Sequence, residues 1–374
     1  MSSLDETLRA RLEELERLGL RRRLRTLEAP GTTVRLSGRA EPVLNFCSND
    51  YLGFSTHPAL LEAVKGAGSP SSRLIAGNLL GHVRAEETLA EFVGLPAATL
   101  FSSGYAANVG IVSSLMGEDD VVFSDRLIHA SLIDGARLSR AKVVVVDHAS
   151  VHGLSAALKK HRGSGRALVL TESLFSMDGD AADLSGLRSV CDAHDAWLLV
   201  DEAHALGVVG PGGSGRCAEL GVVPDILVGT LGKGLGLSGA FVAGGGPLQD
   251  FLVNRARSFV FSTAFPAALL PAIEVAVGLC QQADGLRGQL RAHTQLLRTE
   301  LGLPSGEGAI VPWVVGDNAR ALELSAELLK RNLLVGAIRP PTVPEGTARL
   351  RITPMATHRT EEVQSLVAAI RGLR

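Results

Sequence analysis

Short apolar runs alternate with helix-length amphipathic segments through the middle of the chain. The apolar runs have the length of buried strands and span residues 143–146, 167–170, 197–200 and 226–228. Segments 154–160 and 184–194, which lie between them, have the apolar spacing of helices. Repetition of strand, helix and strand predicts a mainly parallel sheet that is covered on both faces.

The two ends of the chain have a different pattern. Leucines 4, 8, 12, 15 and 18 recur at intervals of three and four residues and predict an amphipathic helix. We interpret the basic run that follows, 21–25, as the solvated end of this helix. After about Pro266 we predict a long helix (267–301), a strand (309–315), a helix (319–331) and a strand (348–353). We therefore divide the chain into an N-terminal helix with a short extended segment (1–48), a large domain (49–266) and a small α+β domain (267–374).

Composition excludes several classes of function. The 374 residues are 46% hydrophobic and 20% charged, which is typical of a globular protein. A net charge of -2 and 4% aromatic residues argue against nucleic acid and anionic membranes as partners. The longest apolar stretch, 264–280, is interrupted by two prolines and a glutamate, so we expect no membrane span.

The four cysteines are Cys47, Cys191, Cys217 and Cys280, and none forms a CxxC pair. Their spacing indicates neither a metal site nor a disulfide framework. The N-terminal residues are charged and lack the apolar core of a secretory signal. We expect a cytoplasmic protein with buried thiols and no metal.

Polar residues follow the predicted strands at the point where each strand ends. Glu172 follows the second of the four apolar runs, Asp201 the third, and Thr230 and Lys233 the fourth. In open α/β sheets the ligand lies at the carboxyl ends of the strands. The sequence therefore predicts a site at this edge of the sheet.

Lys233 differs from the other five lysines of the chain. It lies in the glycine-rich turn TLGKGLGLSG directly after an apolar strand, whereas the others have polar or helical neighbours. A desolvated lysine lowers its pKa readily, which suits Schiff-base chemistry. The alternative is a lysine that extends from a surface loop into solvent.

Three phosphate- or magnesium-binding motifs are incomplete. The glycine that a P-loop requires five residues before Gly232 is Leu227. Two GxGxxG matches, from Gly210 and from Gly234, lack the helix and the acidic residue of a dinucleotide site. Asp201 in WLLVDEAHALG resembles the aspartate that binds magnesium beside a P-loop, but the sequence contains no complete P-loop. Asp201 is instead suited to hold a cofactor ring nitrogen protonated, and His204 to bond a phenolic oxygen.

Eight motifs together carry a resemblance over nearly the whole chain. They are NDYLGFSTHP, SSGYAANVG, DRLIHASL, TESLFSMDGD, VDEAHALG, TLGKGLG, FSTAFP and IRPPTVPEGTARLRIT. The chain resembles the α-oxoamine synthases, which are fold-type-I enzymes dependent on pyridoxal 5'-phosphate. The resemblance implies an aspartate-aminotransferase-like large domain with a mainly parallel sheet, and a smaller C-terminal α+β domain.

The resemblance also implies roles for residues of the cofactor site. Lys233 would bind the cofactor covalently and act as the base, Asp201 would pair with the ring nitrogen, His204 with the ring phenolate, and His129 would stack on the ring. Further cofactor contacts would come from the backbone of Gly104 and Tyr105, from Ser176 and Thr230, and from Ser262 and Thr263 of a neighbouring subunit.

Substrate contacts follow from the same resemblance. The substrate carboxylate needs a bidentate cation, for which we choose Arg351, with Arg349 on the same side of the strand as the alternative. Asn49 is the expected second contact and Arg21 the expected contact to the acyl group. Glu172 is either structural or positions the acyl group. Segment 68–80 has less glycine than the family pattern and leaves the preferred acyl length open.

The implied reaction is a decarboxylative condensation of L-alanine with a pimeloyl thioester, on CoA or a carrier protein, in biotin biosynthesis. The implied assembly is a homodimer with composite active sites. A sister acyltransferase that uses glycine, a non-catalytic partner subunit and a nicotinamide dehydrogenase are the alternatives. The presence of Lys233 argues against the silent subunit.

Overall fold

The computed structural model describes residues 3–373. Its helices are α1 (Ser3–Arg17), α2 (Pro58–Ala63), α3 (Leu80–Val93), α4 (Gly104–Leu115), α5 (Ala130–Ser139), α6 (Val151–His161), α7 (Leu184–Ala193), α8 (Arg216–Leu220), α9 (Gly246–Arg255), α10 (Arg257–Val260), α11 (Leu270–Gln281), α12 (Asp284–Leu301), α13 (Asn318–Lys330) and α14 (Thr360–Arg371). Its strands are β1 (Thr33–Val34), β2 (Val43–Asn45), β3 (Ala97–Phe101), β4 (Val121–Asp125), β5 (Lys142–Val146), β6 (Ala167–Glu172), β7 (Trp197–Asp201), β8 (Ile226–Thr230), β9 (Ala240–Gly244), β10 (Val311–Gly316), β11 (Leu333–Leu334), β12 (Gly336–Ile338) and β13 (Ala348–Ile352). Short 3₁₀ helices span Phe54–Thr56, Pro211–Gly213 and Ala267–Leu269, and a π-helical turn spans Arg73–Gly77.

The chain forms two compact units. The larger unit contains residues 49–290 and 306–308, and the smaller unit contains residues 3–48, 291–305 and 309–373. The sequence-based division places a boundary after residue 266, whereas in the structure the chain changes unit after Leu290. The physical reason is that α11 packs on α2 and α3 of the larger unit. The single helix predicted over 267–301 is wrong: the backbone leaves the helical region at Gln282, and α11 and α12 are separate.

A seven-stranded sheet organises the larger unit. Its strand order is β3-β9-β8-β7-β6-β4-β5. Neighbours from β8 to β5 are parallel, and β9 is antiparallel to both of its neighbours. Every residue of β6 is buried, because both faces of the sheet are covered. The predicted mainly parallel α/β fold is confirmed, and the four predicted strands are β5 to β8.

The register of the central strands brings their polar last residues together. Glu172 on β6 pairs with Asp201 on β7, and Asp201 pairs with Val228 on β8. Thr230 is the last residue of β8, and Lys233 lies in the turn that follows. The carboxyl edge of this sheet therefore holds the polar residues that the sequence places after its strands.

The smaller unit is α+β. Strands β10, β13 and β12 form an antiparallel sheet, and β1, β2 and β11 form a second sheet. Side chains from the sheets, α12, α13 and α14 share one core that includes Phe46, Leu297, Leu324, Leu350 and Val363. Asp317 caps α13 by accepting a hydrogen bond from the amide of Arg320.

Helix α1 contributes no buried residue to this core. The leucine face that the sequence predicts is present, and its members are 39% to 63% exposed. Within residues 3–373, no helix is long and apolar enough to cross a membrane.

Candidate active site

A cavity of about 200 Å³ lies at the carboxyl ends of β6, β7 and β8, entirely within the larger unit. We call it the sheet-end cavity. It is lined by Gly104, Tyr105, Asn108, His129, Ser131, Glu172, Asp201, Ala203, His204, Val228, Gly229, Thr230 and Lys233.

Lys233 and His204 are in direct contact in this cavity. The Lys233 Nζ lies 2.9 Å from Nε2 of His204. On the other side of the imidazole, Nδ1 of His204 lies 2.7 Å from the hydroxyl of Tyr51, which donates to Oδ1 of Asn49 at 3.2 Å. An amine that donates to Nε2 leaves the ring proton on Nδ1, directed at the Tyr51 oxygen. The lysine thus lies at one end of a hydrogen-bonded series that runs through the buried His204 and Tyr51 to the half-buried Asn49.

The turn that carries Lys233 is fixed by close backbone approach. A Cβ atom at Gly234 would clash with the carbonyl oxygen of Leu206, so the turn packs directly on the segment after His204. The amide of Gly232 donates to the Thr230 hydroxyl at 3.2 Å, and that hydroxyl donates to the carbonyl of Gly239 at 3.1 Å. Glycine is required here because any side chain would separate the two loops.

Asp201 is buried and holds two hydrogen bonds. Its Oδ1 accepts from the amide of Ala203 at 2.9 Å, and its Oδ2 accepts from Nδ2 of Asn108 at 2.8 Å. The same Asn108 amide donates to the hydroxyl of Ser131 at 2.9 Å. These bonds fix the orientation of the carboxylate at the end of β7.

His129 is the N-cap residue of α5, and its ring accepts from the backbone amide of Ser131. His129 is open to solvent on one side. The protein atoms around its ring nevertheless displace part of the surrounding water, and this desolvation lowers the pKa of the imidazole. The charge of Asp201 opposes this shift, and that of Lys233 reinforces it. The ring is therefore held in its neutral form near neutral pH.

Glu172 is buried between β6 and the segment that follows it. Its Oε2 accepts from the backbone amide of Ser176 at 3.2 Å. Burial raises the pKa of the Glu172 carboxyl well above its ordinary value, and the charge of Asp201 raises it further. Glu172 therefore lies beside Asp201 as a group that binds a proton readily.

The first turn of α4 lines the cavity with amides that have no acceptor within the helix. Ser103 caps the helix by accepting from the amide of Ala106 at 3.1 Å. Gly104 and Tyr105 are the first two helical residues, and no atom lies within 4 Å of a Cβ built at Gly104. Helix-start amides and the positive end of the helix dipole bind phosphate groups well.

The structure brings together seven of the sequence-predicted site residues and Glu172. The seven that line the sheet-end cavity are Gly104, Tyr105, His129, Asp201, His204, Thr230 and Lys233. Asn49 lies behind His204 through Tyr51. Ser176 is buried and adjoins Glu172 through its amide.

Ser262 and Thr263 do not line the cavity of their own chain. Thr263 forms an isolated antiparallel bridge with Ser72. Neither hydroxyl caps the 3₁₀ helix at Ala267–Leu269, because Pro266 is its N-cap and no side chain caps it.

The remaining predicted residues belong to the smaller unit. Arg351 and Arg349 lie on β13 and are both buried. Arg21 lines a separate cavity of about 700 Å³ together with Arg22, Arg23, Arg25 and Arg339. Its guanidinium lies 3.2 Å from the Glu16 carboxylate.

Sequence reasoning missed three residues of the site: Tyr51, Asn108 and Ser131. All three lie inside motifs that carry the family resemblance, NDYLGFSTHP, SSGYAANVG and DRLIHASL. Their side-chain types gave no signal for a role, because asparagine and serine are common in helix starts and turns.

Comparison with known proteins defines the class. Residues 41–370 match the family model described as aminotransferase class I and II. The chain therefore belongs to the aminotransferase class I and II family, and the fold-type-I architecture predicted above is confirmed. Solved serine palmitoyltransferases share the fold; the enzyme from S. paucimobilis with bound PLP-myriocin aldimine has a TM-score of 0.92 at 28% identity, over 100% of this chain and 98% of that one.

The relatives of higher identity carry one name. The 8-amino-7-oxononanoate synthase of Methylococcus capsulatus is 47% identical over 360 residues, 92% of each chain. That of Geobacter sulfurreducens is 44% identical over 98% of this chain and 97% of its own. The solved 8-amino-7-oxononanoate synthase from Francisella tularensis has a TM-score of 0.77 at 27% identity, over 88% of this chain and 97% of that one. The resemblance to the α-oxoamine synthases is confirmed.

Pyridoxal phosphate is the cofactor of this class, and the sheet-end cavity fits it. The cavity offers an amine for covalent attachment, a buried carboxylate and helix-start amides for a phosphate. Two of its lining residues have a buried polar atom, Asn108 Oδ1 and Glu172 Oε1, without a hydrogen-bond partner in the described part of the chain. Buried polar atoms are normally paired, so these two are suited to a polar ligand.

Proposed function

We propose that the chain condenses L-alanine with a pimeloyl thioester to give 8-amino-7-oxononanoate in biotin biosynthesis. One bond forms between the α-carbon of alanine and the acyl carbon, while the thiol leaves the acyl carbon and the carboxylate leaves as carbon dioxide. The observation that carries the proposal is the position of Lys233 beside His204 in a cavity that also holds Asp201 and the first turn of α4. The shared name of the relatives supports the choice of substrates.

Lys233 has two tasks in this proposal: it holds the cofactor covalently, and it then takes the α-proton of alanine. Pyridoxal phosphate, when bound, supplies an electron sink for negative charge at the α-carbon. Lys233 is half-buried and lines the cavity, so its amine lies where the α-proton would be taken. The contact with His204 orients that amine within the cavity.

Asp201, His204 and His129 orient the cofactor ring. The Asp201 carboxylate, held by Ala203 and Asn108, would keep a proton on the ring nitrogen. His204, held by Tyr51, would hydrogen-bond the ring's phenolic oxygen. The neutral ring of His129 would stack on the ring face.

The phosphate would be bound by the backbone amides of Gly104 and Tyr105 and by Thr230. Ser176 would complete the polar contacts from its position next to Glu172. Ser262 and Thr263 would reach the phosphate of a second copy of the chain. Their absence from the lining of their own cavity is consistent with that role.

Arg351 would bind the carboxylate of the amino acid, with Asn49 as the second contact. A buried guanidinium that presents two parallel donors suits a carboxylate. Arg21, on an arginine-lined cavity, would bind the acyl substrate.

A homodimer would complete each site. The exposed leucine face of α1 supports this assembly, because an apolar helix face of that width requires a surface to cover it. A cytoplasmic location stays a prediction from the four free cysteines.

A product assay tests the proposed reaction. The purified protein receives alanine or glycine with acyl thioesters of several lengths, each on CoA and on a carrier protein. Formation of 8-amino-7-oxononanoate from alanine and the pimeloyl donor is expected. A preference for glycine would assign the chain to a sister acyltransferase, and no product from any pair would overturn the proposal.

A further inference from the structure

Two buried residues connect Asp201 with His129. Asn108 and Ser131 are 1% and 0% exposed, and they lie on α4 and α5, which pack against each other. The four hydrogen-bonded residues Asp201, Asn108, Ser131 and His129 are called the Asp–His network below. The inference from it rests on the proposed roles of Asp201 and His129 toward the cofactor.

The direction of each hydrogen bond in the Asp–His network follows from the chemistry of its members. An ionised carboxylate only accepts, so the Asn108 Nδ2 directs one hydrogen to Asp201 at 2.8 Å. The second hydrogen of the same amide goes to the Ser131 Oγ at 2.9 Å. Since Oγ accepts there, its own hydrogen is available for Nδ1 of His129, which lies 2.7 Å away. With that hydrogen directed at it, Nδ1 accepts.

A second observation leads to the same result. The backbone amide of Ser131 also donates to Nδ1 of His129, at 3.3 Å, because His129 caps α5. A proton on Nδ1 would face this N–H group directly. The positive end of the α5 dipole disfavours an imidazolium at the N-cap as well.

We propose that Asn108 and Ser131 are positioning residues that hold His129 neutral, with its proton on Nε2, and align it with the Asp201 carboxylate. His129 then offers an N–H group, and not a lone pair, from Nε2 to whatever lies in the sheet-end cavity. A substrate carboxylate or acyl oxygen is the chemical class that such a donor binds. Asp201 and His129, which would contact the ring nitrogen and the ring face of the cofactor, would thus be oriented by the same network.

The charged and titratable groups that line the cavity with His129 or act on its pKa come from six segments: Asp201 from β7, Lys233 from the turn after β8, His204 from the loop after β7, Asp134 from α5, Tyr105 from α4 and Glu172 from β6. The three carboxyl groups favour a proton on the imidazole when they are ionised, and Lys233 disfavours it. Loss of the Ser131 hydroxyl should raise the pKa of His129 by about 0.7, since a hydrogen bond to the neutral form contributes about 1 kcal/mol. Loss of Asn108 should raise it too, because the Ser131 hydroxyl is then no longer held by the amide and can turn its hydrogen away from Nδ1.

Nitrogen and carbon NMR of histidine-labelled full-length protein tests the proposal. Spectra are recorded across pH, with and without pyridoxal phosphate, and His129→Gln assigns the signal. We expect the neutral Nε2–H tautomer in the unmodified protein and a raised His129 pKa in Ser131→Ala and Asn108→Ala. Ser139→Ala is the matched control, because it removes another buried hydroxyl from α5, bonded to the Ala136 carbonyl at 2.6 Å.

An Nδ1–H tautomer in the unmodified protein, or an unchanged His129 pKa in both variants, would overturn the proposal. The unmodified protein alone decides the tautomer, so failure of a variant to fold does not remove the test. The measurement without cofactor and substrate does not depend on the reaction. Failure of the proposed function would appear in the product assay and not in these spectra.

Discussion

Lys233 Nζ lies 2.9 Å from Nε2 of His204, at the carboxyl edge of the parallel sheet. The contact joins a residue of the turn after β8 to a residue of the loop after β7. Both loops begin at the ends of adjacent strands, and the packing of Gly234 on Leu206 holds them together. This arrangement supports the covalent role proposed for Lys233.

Borohydride reduction of the protein with bound cofactor should leave the pyridoxyl label on Lys233. The reason is that no other lysine within residues 3–373 lines the sheet-end cavity. Peptide mapping by mass spectrometry locates the label. Lys233→Ala should lose it, and Lys142→Ala, at the exposed start of β5, should keep it. A label on any other lysine would refute the assignment.

Asp201→Asn should reduce the catalytic rate by at least about 100-fold, because the amide cannot keep the ring nitrogen protonated and charge stabilisation of that kind contributes on this order. Cofactor binding should persist, since the phosphate contacts are unchanged. Turnover and cofactor content are measured on the same preparation. Near-normal turnover in this variant would show that Asp201 does not have the proposed role.

Arg351→Ala should raise the KM for alanine by about 100-fold or more, since a lost bidentate charge-assisted contact costs roughly 3 kcal/mol. Covalent cofactor binding should be unchanged. Arg349→Ala is the matched comparison, because both arginines are buried on the same strand two residues apart. If only the Arg349 variant raises the KM, the two roles are exchanged; if neither does, the carboxylate binds elsewhere.

Activity and cofactor retention should depend on a dimer. Sedimentation over a dilution series should show a dimer whose dissociation parallels the loss of turnover. Leu8→Glu with Leu12→Glu should weaken the dimer, because both side chains belong to the exposed leucine face of α1. Glu13→Gln on the same helix is the control. A monomer with full turnover would contradict the composite site.

His148 should stabilise the fold in a pH-dependent way. Burial opposes its charge, but hydrogen bonds to Asp125 at 2.9 Å and to Asp180 at 2.8 Å outweigh that effect and raise its pKa from 6.5 to about 10. The stabilisation is therefore complete below pH 6.5, declines as the pH rises, and is lost above pH 10.

The His148→Gln variant provides the measurement. The free energy of unfolding should fall by about 2 kcal/mol at pH 6, the contribution of hydrogen bonds to a charged group. The difference between the two proteins should vanish above pH 10. Denaturant unfolding at several pH values measures it, and a difference that is constant with pH would disprove an ionic role for His148.

The sequence by itself determined the strands of the sheet and the residues at their ends. Apolar runs such as 167–170 and 197–200 form buried strands. A strand whose sheet is covered on both faces has apolar side chains on both sides, so its sequence lacks the alternation of apolar and polar residues. In the sequence, Glu172, Asp201 and Thr230 follow the apolar runs of three strands. Parallel strands have their carboxyl ends at the same edge of the sheet, so these residues lie at that edge. A glycine-rich turn then leaves Lys233 at that edge. These are local consequences of side-chain polarity and backbone geometry.

Only the tertiary structure decided which distant residues support that site. Asn108 and Asp201 are 93 positions apart, and Asn108 and Ser131 are 23 apart, so their hydrogen bonds depend on how α4 and α5 pack beside the sheet. The change of unit after Leu290, and not after residue 266, depends on the packing of α11 on α2 and α3. Sequence periodicity shows which face of a helix is apolar, but the surface that the face meets is chosen by the fold as a whole.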